Sequence, residues 1–388
     1  MTKMEKQRPP EPDPQPGPLG PGIPLRPGAR VAVVGGGPAG AFFALHLLRG
    51  AAARDLSLHV MVIERHHQAP TDPEEHGRGC WRGCNHCAGG ISPRLSDVMR
   101  SLGLALPQGI IQRRIRAVTI QGHWKNITLE VPPGREMFTV YRGSRPLGRS
   151  DSRQTFDGFL LDAARQAGAE IIGGEMLEAE RADDGRPLLF CDTAGIKRTI
   201  AADLVVFACG VNGGLDSRPD DGRELRAIRN LIPDFQPPGT RRALIFELGF
   251  DAADAPVLED EICFVEYGSR DLPIEMCSLV PKREFLTAVL VGGAVDRAQG
   301  RSGLRAVMER FLDLPHIRKL APPRTHLRLA CTCSPSMVVR SARNSFADRV
   351  AVIGDMVTTR LYKDGILSAE HTARALADAV LDRGVDAG

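Results

Sequence analysis

The glycines of Gly35-Gly36-Gly37-Pro38-Ala39-Gly40 have the spacing of a pyrophosphate cradle. Gly35 permits a tight turn, Gly37 lets the backbone approach a phosphate with no Cβ in the way, and Gly40 lets the following helix pack against the strand before it. Glu64 stands roughly 20–25 residues further on, where a carboxylate would hold ribose hydroxyls. A second set of residues suits soft-metal or redox chemistry. Cys80, Cys84 and Cys87 form C-x3-C-x2-C in a loop rich in glycine and arginine, and Cys331 with Cys333 form C-x-C. Grouped thiolates suit an iron–sulfur cluster. With His76 and His86 nearby they suit tetrahedral zinc. With Arg78 and Arg82 lowering thiol pKa values they suit a redox dithiol, and small core residues are the fourth reading.

The elements that must hold the glycines follow in order. Arg30–Val34 reads as a buried strand, Ala41–Leu48 as an apolar helix, and Leu58–Ile63 as a second strand ending at Glu64. A helix N-terminus aimed at the glycine turn offers unpaired N–H groups and a positive dipole end to phosphates. This β-α-β unit predicts a dinucleotide site. Glu64-Arg65 is the usual ending in flavoproteins, which favours FAD, with NAD as the alternative.

Beyond it the sequence predicts a helix over Ser92–Leu102, strand-like pieces at 116–120, 127–131 and 137–141, and an amphipathic helix over Thr155–Ala167. Leu204–Gly210 reads as another parallel strand ending at a glycine. Strand candidates at 244–248, 262–267, 274–280 and 285–291 predict an antiparallel sheet. A last strand, Arg349–Ile353, runs into Gly354-Asp355, and a closing helix is expected over Gly365–Leu381. The fold class expected is therefore α/β: a Rossmann-like FAD-binding domain with a mostly parallel sheet interrupted in sequence, and a second α+β domain built on an antiparallel sheet. Its boundaries are expected at 29–231 with 331–388 for the first domain, including inserted strands at about 112–142, and 232–330 for a substrate domain. Residues 1–28 carry nine prolines and are expected to form a disordered tail.

With 388 residues, 43% of them hydrophobic, the chain can bury a large core. A formal net charge of +3 without a basic stripe argues against nucleic acid. No apolar run reaches the roughly 18–20 residues of a membrane span and no signal-peptide core is seen, so the expected location is the cytoplasm.

Four segments resemble the geranylgeranyl reductase branch of the FAD-dependent p-hydroxybenzoate-hydroxylase-like flavoproteins. They are Gly35–Gly40; Cys87-Ala88-Gly89-Gly90-Ile91-Ser92; Arg153-Gln154-Thr155-Phe156-Asp157-Gly158-Phe159-Leu160; and Gly354-Asp355 leading to Lys363-Asp364-Gly365-Ile366. The resemblance implies an FAD-dependent reductase. FAD would lie across the first domain, held by Gly35, Gly37, Pro38, Ala39, Gly40, Glu64 and Arg65, with Gly354 and Asp355 on the ribityl chain and pyrophosphate. Arg153 would lie near the cofactor, and Lys363, Asp364, Gly365 and Ile366 near the flavin ring. It implies an apolar, isoprenoid-type substrate and brings both cysteine segments toward the flavin, so that Cys80, Cys84 and Cys87 would join Cys331 or Cys333 in one metal site. Electrons would come from a ferredoxin-type protein or another donor. No catalytic residue is assigned.

One departure matters. Where aromatic hydroxylases of that superfamily carry Ala-Asp-Gly, this chain has Ala208-Cys209-Gly210. The monooxygenase reading is weakened accordingly, and an electron-transfer flavoprotein with a protein partner is the other alternative. Cys191, Cys209, Cys263 and Cys277 are expected in the core. His66 and His67 are expected in solvent, and Tyr141, Arg142 and Arg145 either on the cofactor or substrate or in solvated loops.

Overall fold

The computed structural model describes residues 22–68, 80–81, 88–122, 124–143, 155–214, 222–250, 260–266, 268–321, 327–360 and 364–386. In chain order, the elements that build the site begin with β1 (Ala29–Val34), α1 (Pro38–Ala52), β2 (Leu58–Glu64), β3 (Ala117–Gln121) and β4 (Asn126–Glu130). Next come α2 (Phe156–Gln166), β5 (Glu170–Gly173), β6 (Leu204–Phe207), β7 (Leu244–Gly249), β8 (Glu261–Val265), β9 (Met276–Lys282) and β10 (Phe285–Val291). The last are α3 (Gly300–Leu312), β11 (Arg328–Cys333), β12 (Phe346–Ala347), β13 (Val350–Val352) and α4 (Gly365–Arg383).

The Val/Ile/Met-rich strands β1, β2 and β6 are buried on both faces, as parallel strands between helices must be. They lie in a six-stranded sheet of order β5-β2-β1-β6-β13-β12, parallel except for the last pair. Val33 pairs with Val62 on one side and Val206 on the other. The strand order reverses at β1, the place where an open α/β sheet leaves a crevice at its carboxyl ends. On one face α1 packs beside α4, and His46 of α1 meets the buried Glu370 of α4, Nε2 to Oε1, at 3.1 Å.

The second sheet has seven strands in the order β11-β7-β10-β9-β8-β3-β4, antiparallel except for β8 against β3. One of its faces, carrying Leu244, Phe246, Cys263, Cys277 and Leu279, packs on Val307, Met308 and Phe311 of α3. Its other face turns toward the first sheet. Two sequence expectations change here. The strands at 117–121 and 126–130 extend the second sheet instead of forming an insertion within the first, because β3 finds its hydrogen-bond partners along β8. The segment with Cys331 and Cys333 is likewise an edge strand of the second sheet, paired with β7.

Helix boundaries follow their caps. Ser92 accepts from the Leu95 N–H at 3.4 Å ahead of the helix Pro93–Ser101, and Thr155 accepts from the Gly158 N–H at 3.0 Å ahead of α2. The chain also forms an antiparallel meander of Glu175–Arg181, Pro187–Thr193 and Ile196–Ala201 that the sequence reading did not anticipate. Of the proline-rich tail, residues 1–21 lie outside the described residues. Residues 22–28 are mostly exposed but anchored: Leu25 is buried, and the Ile23 carbonyl accepts from the Val385 N–H at 2.9 Å. Among the described residues no helix is long and apolar enough to cross a membrane.

Candidate cofactor site

The glycine loop has the geometry its spacing requires. Gly35 has a φ of +106°, and a Cβ there would stand 2.6 Å from the Ala208 carbonyl oxygen. A Cβ on Gly40 would stand 1.9 Å from the Gly35 carbonyl oxygen, so the first turn of α1 lies directly on the loop. At Gly37 the nearest atom to such a Cβ is Arg142 Nη2 at 3.6 Å; the space beside it is open cavity.

Helix α1 starts at Pro38 after Gly37, with no side-chain cap and no acidic residue in its first turn. Its leading N–H groups therefore face the cavity as an anion site with no carboxylate competing for them. Helix α4 starts the same way. Asp364 precedes it in the left-handed region, φ +62°, again without a side-chain cap or a first-turn acid. Two uncapped helix starts thus open on one cavity.

Glu64 closes β2 and is buried. Its Oε2 accepts from the Gly36 N–H at 2.6 Å and its Oε1 from the His66 N–H at 2.7 Å. A carboxylate has about four lone-pair positions, so two of them remain for hydroxyl donors. Arg65 leans the other way, toward Glu224 at 3.5 Å, and burial holds the Glu224 carboxyl above its ordinary value.

Asp355 is the most telling side chain. Its Oδ1 is buried without a hydrogen-bond partner, and desolvation raises its pKa despite the opposing charge of Arg142. An orphaned buried acceptor in a cavity is the signature of a missing donor. Gly354 precedes it with φ +71°, and a Cβ there would stand 2.7 Å from Cβ of Ala39, so the end of β13 sits against the start of α1.

Arg142 and Asp157 form a site pair that the sequence reading valued too little. The Arg142 guanidinium donates to both Asp157 oxygens at 2.7–3.1 Å, and Asp157 is fully buried in the first turn of α2. Burial pushes the Asp157 carboxyl up while Arg142 opposes the shift. The pair fixes a cation beside Gly37. The signal was the Thr-x-Asp helix start at 155–157 placed shortly after Tyr141-Arg142, and its weight came only from the fold.

Gly35, Gly37, Glu64, Arg65, Arg142, Asp355 and Asp364 line one cavity of about 920 Å³. Its lining includes Glu64, Arg65 and His66 at the end of β2, Gly35, Gly37, Pro38 and Ala39 of the glycine loop, Asp355, and Gly365, Ile366 and Leu367 at the start of α4. The far wall is the inner face of the second sheet, including Ile262, Phe264, Val280 and Val289. The volume suits a large ligand with room beside it. An extended molecule with a diphosphate, a polyol and a planar ring fits this donor set: helix N–H groups and Arg142 for the phosphates, Glu64 and Asp355 for hydroxyls, and an apolar wall for the ring.

Other expectations come out as follows. Gly35, Gly37, Pro38, Ala39, Glu64, Arg65, Asp355, Asp364, Gly365 and Ile366 share the cavity wall, whereas Gly40 and Gly354 shape it from behind. Arg153, Lys363, Arg145, Cys84 and Cys87 lie outside the described residues. Cys80 begins a short strand, Cys80–Trp81, that pairs with His67–Gln68. Cys331 and Cys333 occupy alternate positions of β11 and so share one face of that edge strand. Among the described residues no three His, Cys, Asp or Glu side chains gather as a metal site. Cys191, Cys263 and Cys277 are buried core residues, as expected. Cys209 is different: it follows β6 and lines the cavity, and burial pushes its thiol up to about 12. His66 lines the cavity instead of standing in solvent, and partial burial lowers the pKa of His67.

The fold and the cavity together define a Rossmann-type architecture whose crevice, at the carboxyl ends of the first sheet, is also lined by a second sheet. Solved structures share this architecture. A geranylgeranyl bacteriochlorophyll reductase-like protein from Thermoplasma acidophilum superposes with a TM-score of 0.64 at 17% identity, over 94% of this chain and 81% of the other. The flavin-dependent brominase Bmp2 gives 0.64 at 15%, over 91% and 78%. Aklavinone-11 hydroxylase, solved in a ternary complex with FAD and aklavinone, gives 0.61 at 16%, over 92% and 63%. No family model and no curated protein matches the sequence.

Proposed function

We propose that this protein is an FAD-dependent oxidoreductase of the reductase type, which delivers flavin electrons to an apolar organic substrate held against the second sheet. The observation that carries the proposal is the single cavity: two uncapped helix starts, Arg142 and the orphaned Asp355 on one wall, and an apolar sheet face on the other. Bound FAD would supply a hydride from its ring to the acceptor. The chain's own part is to bind and orient. The glycine loop, the start of α1 and Arg142 would hold the pyrophosphate, Glu64 the adenosine ribose, and Asp355 would accept from the ribityl hydroxyls. Helix α4 directs its positive end toward the ring, which stabilises negative charge on the reduced form. Ile262, Phe264 and Val280 exclude water from the acceptor side.

Cys209, standing where related hydroxylases carry an aspartate, supports reduction over hydroxylation. Its thiol stays protonated and neutral at physiological pH. The cysteine-bound iron–sulfur centre is a separate part of the reading. It rests on the spacing of Cys80, Cys84, Cys87, Cys331 and Cys333 and on thiolate chemistry alone. Iron and zinc analysis of anaerobically purified protein tests it, and the absence of both metals removes it.

The experiment for the function is a single turnover with anaerobically reduced, FAD-loaded protein. Saturation of an isoprenoid alkene supports the reductase. Oxygen consumption with hydroxylation of a phenol establishes the monooxygenase instead, and electron exchange with a ferredoxin without any small-molecule product establishes a carrier.

A further inference from the structure

The inner face of the second sheet does not end at the cavity. Directly paired residues on neighbouring strands point to the same face, so the pairing traces that face strand by strand. Ile245 on β7 pairs with Val289 on β10, Val289 with Ser278 on β9, and Ser278 with Phe264 on β8. All four line the cavity. The row then leaves it: Phe264 pairs with Ile120 on β3, and Ile120 with Ile127 on β4. A parallel row runs from Ile262 in the cavity through Val118 to Leu129.

Exposure rises smoothly along this path. Ile262 is 2% exposed, Val118 and Ile120 are half-buried, and Ile127 and Leu129 are 55% and 54% exposed. The passage is roofed in part where Val118 and Met137 pack against the cluster of Ile115, Ile262 and Val280. Every residue of β4 is exposed, and on its outer face Asn126, Thr128 and Glu130 alternate with the two apolar side chains. An edge strand whose apolar side chains all lie on the inward face, in continuity with a ligand cavity, is more specific than scattered surface leucines.

We infer that the strip Ile120–Val118–Ile127–Leu129 is a subsite for the distal end of a long apolar substrate whose reacting end lies in the cavity. The inference rests on the reductase reading and deepens it by fixing the chain length of the substrate class. From Val289 to β4 the path crosses four strand spacings, about 19 Å. A short ring-sized substrate would leave the strip empty; an extended linear hydrocarbon would cover it.

The probes are linear prenyl alcohols of two, three and four isoprene units, titrated into FAD-loaded protein and read through the visible spectrum of the bound flavin. Affinity is expected to rise with each unit, and the longest alcohol to bind about tenfold more weakly to the double variant Ile127→Thr with Leu129→Thr. Threonine keeps the strand propensity, and both positions are exposed, so the fold is retained. The shortest alcohol is expected to bind wild type and variant alike. Ile196→Thr, an exposed isoleucine on a different sheet, is expected to change none of the three. Equal binding of all three alcohols by the double variant and wild type overturns the subsite, as does affinity independent of chain length. A wild-type dimer split by the double substitution also overturns it, since the strip is then a contact between copies. Protein that carries no FAD overturns the flavin reading itself, which separates that failure from failure of the strip.

Discussion

The two ends of the cavity are built by different kinds of information. At the nucleotide end, Gly35, Gly37, Gly40 and Glu64 fall within one β-α-β unit, and three of them are fixed by local geometry: Gly35 by a positive φ, Gly40 by a contact of 1.9 Å for any Cβ, and Glu64 by two N–H groups on its carboxylate. At the sheet end, Ile245, Ile262, Phe264 and Val289 come from three strands, β7, β8 and β10, and meet only through pairing. The nucleotide end tolerates almost no substitution in the backbone. The sheet end sets specificity by apolar volume, where related residues can exchange.

The largest expected effect separates two roles within the glycine loop. Gly40→Ala drives a Cβ into the Gly35 carbonyl and is expected to abolish bound flavin and lower the melting temperature together. Gly37→Val meets only Arg142 at 3.6 Å, so the protein is expected to fold normally and lose flavin alone. Flavin retained by Gly37→Val on gel filtration would defeat the assignment of the pyrophosphate.

Arg142→Met comes next. It leaves the fully buried Asp157 without its cation, a loss of about 3–5 kcal/mol in chemical denaturation, most of which Asp157→Asn in the same chain should restore. A small loss would mean that Asp157 is held by something other than Arg142.

Asp355→Asn sharpens the contrast between stability and binding. The carboxyl is raised in the folded chain by burial, so the folded state holds its proton more tightly than the unfolded state. Its contribution is therefore best at low pH and is lost as pH rises from the ordinary aspartate range through the raised value. The cofactor-free variant is expected to be more stable than wild type at neutral pH, by about 1–3 kcal/mol, and to lack that part of the pH slope. It should also bind FAD more weakly. A variant less stable than wild type would show that Oδ1 is satisfied in the folded chain. The smallest effect belongs to the sheet end. Phe264→Ala is expected to weaken a prenyl alcohol by about 1–2 kcal/mol and to leave flavin content unchanged.

This division explains what could be read in the sequence. The β1-α1-β2 unit, the caps at Ser92 and Thr155, and the start of α4 at Gly365 depend on local spacing, and they stand where local spacing puts them. The meander at Glu175–Ala201 carried a local signal too: the apolar run Leu188–Cys191 between turn residues at Asp183–Gly185 and Ala194-Gly195. What local spacing does not carry is pairing between distant strands. Nothing near residue 117 announces β8 as its partner, and nothing near Asp157 announces that Arg142 will be its ion-pair partner. For the same reason Cys209 looked like a core residue after a buried strand and proved to be part of the cavity wall.

The close approach of Gly354 to Ala39 has a consequence for how the protein comes into being. The glycine loop and β2 leave the ribosome early, yet Asp355, β13 and α4 are still some three hundred residues behind. At about 5–20 residues per second that is a wait on the order of 15–60 s. Throughout it the dinucleotide crevice has one lip, and the buried face of α1 has no α4 to cover it. On the proposed reading, a complete cofactor site would exist only at the end of synthesis, once α4 has covered α1.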